Sequence, residues 1–229
     1  SKNMCFNPNG IDLSNWKNLL INGKKNNREE FIKKIINYKI KNCVFVDNTA
    51  SETISNEYIN YLNKGVSVVT CNKIASSSIL EKYNKLKNIS KIKNVSFLYE
   101  TNVGSSLPVI ETLNNLILSG DKVISIKAIL SGSLNYIFNN FKDENTFHNV
   151  IDKAKKLGLT EPNPKTDLSG IDVARKLLII SRESGFQSEI NAIKIKSFLP
   201  PNKYLDTNSY NNFYNYIKEN NNHFNKKLL

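Results

Sequence analysis

From residue 11 to residue 99, short apolar runs alternate with amphipathic segments. The runs at 43–46, 66–70 and 96–99 are typical of buried parallel strands. The intervening segments carry apolar residues at helical spacing. They predict helices at 11–22, 26–38, 51–62 and 78–86. Strands that alternate with helices in this way indicate an α/β fold with a parallel sheet.

Beyond residue 106 the pattern changes, and longer amphipathic segments dominate. They predict helices at 107–118, 134–141, 146–157 and 169–181. Two further segments, 122–130 and 192–198, have the composition of strands. Segment 122–130 is apolar on both faces, which predicts burial on two sides, under the chain's own helices or against a partner. We therefore predict a mixed α+β region, followed by an amphipathic tail over 209–229.

The segment from Glu161 to Lys176 contains the side chains of a candidate polar site. Its two prolines fix φ and predict a loop, after which Ser169 is placed to cap a helix. Asp172 and Lys176 are four residues apart and share a face of that helix. On spacing alone, a helix cap and a surface ion pair explain these residues better than a site does.

Two polar loops follow predicted strands, at 47–51 and 70–73. In parallel sheets ligands bind at the carboxyl ends of the strands, so both loops are candidates to hydrogen-bond a ligand. An ordinary turn with a helix cap is an equally good explanation of either loop.

No glycine-rich turn of the dinucleotide-binding type occurs in the sequence. The first glycines are Gly10, Gly23 and Gly65, which are too far apart for that motif. Either the fold is not of the Rossmann type, or the chain starts after the first βαβ segment. We expect the chain alone to bind a dinucleotide weakly and to be inactive, because backbone N–H groups of that turn normally hold the pyrophosphate.

Composition narrows the classes of protein to consider. The 229 residues carry a net charge of +12, with 40% hydrophobic and 23% charged residues. The lysines are spread along the chain beside Asn and Ile, which favours a codon bias over a nucleic-acid interface. No apolar run reaches membrane length. Three widely spaced cysteines indicate reduced thiols in a cytoplasmic protein, and the two histidines are too distant for a His-based metal site.

Six motifs along the chain resemble homoserine dehydrogenase, and the similarity extends over about residues 9–200. They are Val46-Asp47-Asn48-Thr49, Asn72-Lys73, Glu100 to Pro108, Leu130 to Ile137, Thr160-Glu161-Pro162, and Asp167 to Lys176. The stretch from Asn9 to Trp16 resembles the form of the family that is fused behind an aspartate kinase.

The resemblance implies a partial Rossmann-type NAD(P)-binding domain over 1–106 and a substrate and catalytic domain over 107–208. It implies NAD(P)-dependent interconversion of L-aspartate 4-semialdehyde and L-homoserine, in threonine, methionine and isoleucine biosynthesis. It also implies a small-molecule substrate, no nucleic acid, no membrane, and a homo-oligomer as the intact protein.

The resemblance assigns roles to individual residues. Lys176 is the expected acid/base, with Lys73 as an electrostatic helper or as the alternative acid/base. The expected substrate contacts are Glu161, Asp172 and Asp167. The expected cofactor contacts are Thr49, Ser51, Asn72 and Lys73. A monovalent cation, Na⁺ or K⁺, is expected near Glu100 and the carbonyls of Val103, Ser105 and Leu107. Two alternatives stay open: another Rossmann-type dehydrogenase of a small substrate, and a non-catalytic basic binding module.

Overall fold

The computed structural model describes residues 2–38, 41–142, 145–161, 163–199 and 210–226. The chain divides into two compact units. Unit 1 comprises 1–72 and 84–98, and unit 2 comprises 73–83 and 99–229. The domain boundaries expected at residues 106 and 208 stay predictions. None of the helices that the structure describes has the length and apolar character required to cross a membrane.

Short helices and strands alternate along residues 2–98. In chain order they are β1 (Asn3–Met4), α1 (Trp16–Ile21), β2 (Lys24–Lys25), α2 (Arg28–Asn37), β3 (Val44–Asp47), α3 (Glu52–Ser55), α4 (Tyr58–Asn63), β4 (Ser67–Thr70), α5 (Lys73–Ser76), α6 (Leu80–Lys93) and β5 (Phe97–Leu98). The helix predicted over 51–62 is divided into α3 and α4, and the one predicted over 78–86 continues to Lys93.

A parallel sheet organises unit 1, as the sequence predicts. Strand β4 is central, with β3 and β5 parallel to it on either side. The register pairs Asp47 with Thr70, so the carboxyl ends of β3 and β4 lie side by side. A small antiparallel pair, β1 and β2, accompanies this sheet.

The two faces of this sheet differ in burial. On one face Val68 and Phe97 are buried, and Phe97 packs against Tyr58 of α4. On the other face Val46 is 58% exposed and Leu98 is 54% exposed. The continuous apolar runs predict burial on both faces, and that prediction is wrong for this second face.

Unit 2 is built from helices. Its elements after Tyr99 are α7 (Val109–Leu118), α8 (Gly132–Asn140), α9 (Phe147–Lys156), α10 (Pro164–Leu168), α11 (Ile171–Glu183), α12 (Tyr210–Glu219) and α13 (Asn221–Asn225), with 3₁₀ turns at Glu100–Asn102 and Ile190–Ala192. The described part of the predicted amphipathic tail is helical. Its Phe213, Ile217 and Phe224 are buried in one cluster with Phe147.

The two strands predicted in this region are wrong. In the described part of unit 2 neither 122–130 nor 192–198 forms a strand. A strand needs a hydrogen-bonded neighbour, and among the described residues no backbone–backbone hydrogen bond joins 123–129 to another segment. Ile124 is 95% exposed and Ile129 is 85% exposed. The described region is therefore helical and not mixed α+β.

The segment before α11 also differs from its prediction. Pro164 begins the short helix α10, a position where the N–H that proline lacks would have no partner anyway. Asn163 caps α10 by accepting a hydrogen bond from the N–H of Lys165, at 3.1 Å. Ser169 ends α10 instead of capping α11. Gly170, with φ of +82°, separates the two helices, and glycine adopts that conformation readily. Pro162 lies outside the described residues.

Candidate active site

Four charged side chains of unit 2 form a continuous chain of ion pairs. The ammonium nitrogen of Lys73 lies 3.1 Å from Oε1 of Glu161 and 3.3 Å from Oδ1 of Asp172. The other oxygen of Asp172, Oδ2, lies 2.7 Å from the ammonium nitrogen of Lys176. Lys176 also donates a hydrogen bond of 2.9 Å to the carbonyl oxygen of Leu130. Residues far apart in sequence thus meet in one polar cluster.

Helical elements hold three of these side chains. Lys73 is the first residue of α5, and Asp172 and Lys176 lie one turn apart on α11. Side chains four apart on a helix point in the same direction, so both residues of α11 reach the same cluster. Glu161 lies in the segment that leads to α10. Asp172 and Lys176 therefore form a largely buried ion pair and not an exposed surface pair.

Burial and charge oppose each other at this cluster. Asp172 is only 4% exposed, and burial alone raises the pKa of a carboxyl group. The hydrogen bond from Lys176 and the charge of Lys73 outweigh burial, so the pKa of Asp172 is lowered below its ordinary value. Burial likewise favours neutral Lys73, but Asp172 and Glu161 outweigh it and raise the pKa of Lys73. Asp172 and Lys73 are therefore charged at neutral pH.

Asp167 is buried beside the cluster and contacts the backbone of Glu161. Its Oδ2 accepts a hydrogen bond from the N–H of Glu161 at 2.9 Å, and its Oδ1 accepts one from the hydroxyl of Ser133 at 2.6 Å. Burial raises the pKa of Asp167 despite these two hydrogen bonds. Both oxygens are thus used within the chain, and Asp167 supports Glu161. Its expected contact with a substrate stays a prediction.

A second polar network lies in unit 1, at the carboxyl ends of β3 and β4. The hydroxyl of Tyr58 donates to Oδ2 of Asp47 at 2.5 Å and lies 2.8 Å from the hydroxyl of Thr70. Burial and the neighbouring Asp47 raise the pKa of Tyr58, so its hydroxyl stays protonated as a donor. Asp47 and Thr70 belong to the two polar loops that the sequence marks as candidates to hydrogen-bond a ligand. Tyr58 has no such signal in the sequence, because it lies within the predicted helix 51–62.

This network fixes the loops expected to contact a cofactor. The N–H of Thr49 donates to Asp47 at 2.8 Å. The side-chain amide of Asn72 donates to Asp47 at 3.1 Å and to the carbonyl of Ser51 at 3.0 Å. Thr49, Ser51 and Asn72 therefore meet at the ends of neighbouring strands, where parallel sheets bind ligands. Their contact with a cofactor stays a prediction, as does that of Lys73, which follows Asn72 in the chain and belongs to unit 2.

In the loop expected to bind a cation, both carboxylate oxygens of Glu100 accept hydrogen bonds from the chain itself. Oε1 and Oε2 of Glu100 accept hydrogen bonds from the N–H groups of Ile110 and Glu111, at 2.8 and 2.9 Å. Glu100 thus caps the first turn of α7, where the helix dipole favours a negative charge. In the described part of the chain, no cluster of three or more His, Cys, Asp or Glu side chains is placed to hold a metal ion.

Backbone carbonyls are the remaining oxygen ligands in that loop. The carbonyl of Leu107 accepts a hydrogen bond from the N–H of Val109, and Ser105 has a positive φ of 56°. A carbonyl oxygen has two lone pairs, so a monovalent cation could still be held by the carbonyls of Val103, Ser105 and Leu107. The cation site stays a prediction.

Comparison with known proteins identifies the family. The sequence model described as homoserine dehydrogenase matches residues 108–226. The model described as the NAD-binding domain of homoserine dehydrogenase matches residues 13–100. The chain belongs to the homoserine dehydrogenase family. The family that the sequence motifs resemble is thereby confirmed, and most of unit 1 lies within the match to the NAD-binding domain.

Individual relatives agree with this assignment. The chain is similar to a bifunctional aspartokinase/homoserine dehydrogenase of Buchnera aphidicola, with 46% identity over 217 residues, which are 92% of this chain and 26% of that protein. Among solved structures it resembles a Candida auris protein of unknown function, with a TM-score of 0.82 and 33% identity, over 99% of this chain and 65% of that one.

A hyperthermophilic archaeal homoserine dehydrogenase in complex with NADPH is also similar, with a TM-score of 0.59 and 28% identity. The similarity covers 71% of this chain and 48% of that one. The chain thus spans about a quarter of the length of the Buchnera relative and less than two thirds of both solved structures.

Proposed function

We propose that this homoserine dehydrogenase chain carries the catalytic residues for NAD(P)-dependent interconversion of L-aspartate 4-semialdehyde and L-homoserine. The observation that carries the proposal is the ion-pair chain Glu161–Lys73–Asp172–Lys176, which gathers two ammonium groups and two carboxylates in a partly buried cluster. The reaction needs a proton donor beside a carbonyl oxygen and an anionic site for the substrate's ammonium group. The cluster provides groups of both kinds.

Lys176 is the proposed acid/base. Its ammonium group is fixed by Asp172 on one side and by the Leu130 carbonyl on the other. As an ammonium group Lys176 would donate a proton to the aldehyde oxygen in reduction, and as the neutral amine it would accept the hydroxyl proton in homoserine oxidation. A bound nicotinamide supplies or accepts the hydride at C4. A group held on a helix by two partners keeps its position more precisely than a group on a loop.

Lys73 fits an electrostatic role. Its pKa is raised by Asp172 and Glu161, so it stays a cation and is a poor proton acceptor at neutral pH. A fixed positive charge near the oxygen stabilises the negative charge that develops there during oxidation of the alcohol. The assignment of Lys73 as helper rests on its two carboxylate partners, whereas Lys176 contacts one carboxylate and a neutral carbonyl.

Glu161 is the proposed anchor for the substrate's ammonium group, together with Asp172. Its carboxylate is partly exposed, unlike that of Asp172, and it can exchange the contact with Lys73 for one with an incoming ammonium group. Asp167 supports this anchor by holding the backbone N–H of Glu161.

NADP is the proposed cofactor, bound with the help of Thr49, Ser51, Asn72 and Lys73. The archaeal relative is described in complex with NADPH, which supports this choice over NAD. We further propose that the intact protein is cytoplasmic, acts in threonine, methionine and isoleucine biosynthesis, and is fused to an aspartokinase. The name of the Buchnera relative supports the fusion. Na⁺ or K⁺ bound by the Val103, Ser105 and Leu107 carbonyls is a further part of the proposal.

The intact protein is also proposed to be a homo-oligomer. Segment 122–130 exposes isoleucines and has no strand partner among the described residues, and a second copy offers the same unpaired backbone. Antiparallel pairing of the two copies would cover the isoleucines and satisfy the backbone groups together.

A direct assay tests the proposed function. The intact enzyme should reduce NADP⁺ when L-homoserine is added, and should oxidise NADPH with L-aspartate 4-semialdehyde. L-Serine and L-threonine are matched controls, because they carry the same ammonium and carboxylate groups but place the hydroxyl on C3. Turnover of another alcohol in place of homoserine would indicate a different dehydrogenase. Salt-dependent nucleic-acid binding without any turnover would support a basic binding module instead.

A further inference from the structure

Arg182 is a buried cation that the proposed mechanism does not use. It lies in the last turn of α11, the helix that carries Asp172 and Lys176 nearer its start, and its side chain is only 1% exposed. A guanidinium group is rarely buried unless its N–H groups are satisfied. The contacts that satisfy it lead to the turn that carries Lys73.

The guanidinium group donates to carbonyl oxygens at the end of α5. Its Nη1 lies 3.2 Å from the carbonyl oxygen of Ser76 and 2.7 Å from that of Ser78. Ser76 is the last residue of α5, and Lys73 is the first. The last carbonyls of a helix have no partner within it, and a cation there satisfies them and complements the helix dipole. Arg182 therefore fixes the end of the short helix whose first side chain enters the ion-pair cluster.

Other contacts hold Arg182 itself in place. Its Nε and Nη2 both donate to the carbonyl oxygen of Ser188, at 3.1 and 3.0 Å. Nη2 also pairs with the carboxylate of Glu189 at 3.1 Å, and the guanidinium carbon lies 5.1 Å from the ring centre of Tyr83. The planar guanidinium group has five N–H donors in fixed directions and can make all of these contacts. The ammonium group of a lysine has only three donors and cannot.

We propose that Arg182 is a positioning residue for Lys73, which clamps helix α5 to α11 so that the Lys73 ammonium group reaches both Glu161 and Asp172. One helix thus supplies a carboxylate for the Lys73 side chain and a guanidinium group for the backbone of the same turn. This inference rests on the proposed function of the cluster. Asn102 provides a second support, because its amide donates to the Ser76 hydroxyl at 2.6 Å.

Steady-state kinetics of the intact enzyme with Arg182→Ala and Arg182→Lys test the proposal. We expect kcat for homoserine to fall roughly 10- to 100-fold in both variants, the effect of misplacing a charged group by about 1 Å. KM should change by less than about threefold, because Glu161 keeps its support from Asp167. Guanidinium chloride at low millimolar concentration should restore part of kcat in Arg182→Ala, and should not do so in Lys73→Ala.

The pH profile separates positioning from a loss of folded protein. Two carboxylates hold the pKa of Lys73 above its ordinary value of 10.5. If Lys73 withdraws from them in Arg182→Ala, its pKa falls, and kcat should be lost at a lower pH than in the wild type. A decrease in the folded fraction would lower kcat equally at every pH. Ile151→Ala, which opens a cavity in the buried core of unit 2, is the stability control and should leave the profile unchanged.

An Arg182→Ala enzyme with a wild-type pH profile and a loss of kcat that matches its loss of folded protein would overturn the proposal. If the wild-type enzyme does not oxidise homoserine at all, the proposed function fails; if it does and Arg182→Ala is unchanged, only the role of Arg182 fails.

Discussion

Lys73 and Lys176 bind opposite oxygens of one carboxylate, that of Asp172. The two lysines are nevertheless not equivalent, because their other partners differ. Lys73 has a second carboxylate, Glu161, whereas Lys176 has a neutral carbonyl, that of Leu130. The two lysines therefore carry out different tasks in the proposed reaction, and substitution can tell them apart.

Replacing Lys176 by alanine in the intact enzyme should lower kcat on the order of a hundredfold or more, the usual contribution of a positioned acid/base. Steady-state kinetics with circular dichroism as a folding control provide the measurement. Lys156→Ala is the matched control, because Lys156 is an exposed lysine that pairs with Asp152 on α9, and it should keep wild-type kcat. Near-normal kcat in Lys176→Ala, with activity abolished in Lys73→Ala, would reverse the two assignments.

Glu161→Gln keeps the shape of the side chain and removes its charge. The KM for homoserine should therefore rise more than kcat falls, since the variant loses attraction for the ammonium group in both the ground state and the transition state. Glu30→Gln, at an exposed pair with Lys34 on α2, is the control and should change neither constant. A fall in kcat with unchanged KM would indicate that Glu161 acts on the chemical step.

The ion pairs of Lys73 should make stability depend on alkaline pH. Its pKa is raised in the folded protein, so the stabilisation is complete below the ordinary value of 10.5 and is lost as pH rises through the higher folded value. The difference in free energy of unfolding between the wild type and Lys73→Met should therefore be constant from pH 7 to 9 and should change above about pH 10.5. Urea denaturation at several pH values measures it. A difference that changes between pH 7 and 9 would contradict the pKa direction.

The sequence pattern predicts those structural elements that depend on residues close together in the chain. The strand at 44–47 follows from a continuous apolar run, and the face shared by Asp172 and Lys176 follows from helical spacing. The meeting of Lys73 with Asp172 joins residues far apart in sequence, and only the resemblance to a family brought them together. Strand propensity gave a wrong prediction for 122–130. The segment has the composition of a strand, but a strand also needs a neighbour to pair with, and none is described beside this segment. Gly170 replaces Ser169 as the N-cap of α11 because the chain must turn sharply after α10.

Segment 122–130 has the composition of a strand but no strand partner among the described residues, and its isoleucines are exposed. With the apolar side of α7 it borders a cavity of about 510 Å³, lined by Leu113, Leu116, Ile117 and residues 121–127. Ile124 and Ile129 project largely into solvent. An exposed edge with apolar side chains is a template for pairing with another chain, and two copies of one edge pair by two-fold symmetry. We therefore expect the intact enzyme to be a dimer or larger oligomer that associates through this segment.

Aspartate substitutions test that interface. Ile124→Asp and Ile129→Asp should each shift the intact enzyme toward smaller species at micromolar concentration, because burying a carboxylate opposite its own copy costs desolvation and like-charge repulsion. Ile92→Asp changes another largely exposed isoleucine, on α6, at 78% exposure, and should leave the assembly unchanged. Sedimentation velocity measures the species directly. A wild-type enzyme that sediments as a monomer would reject the interface, and so would equal dissociation in Ile92→Asp, because the effect would then not depend on segment 122–130.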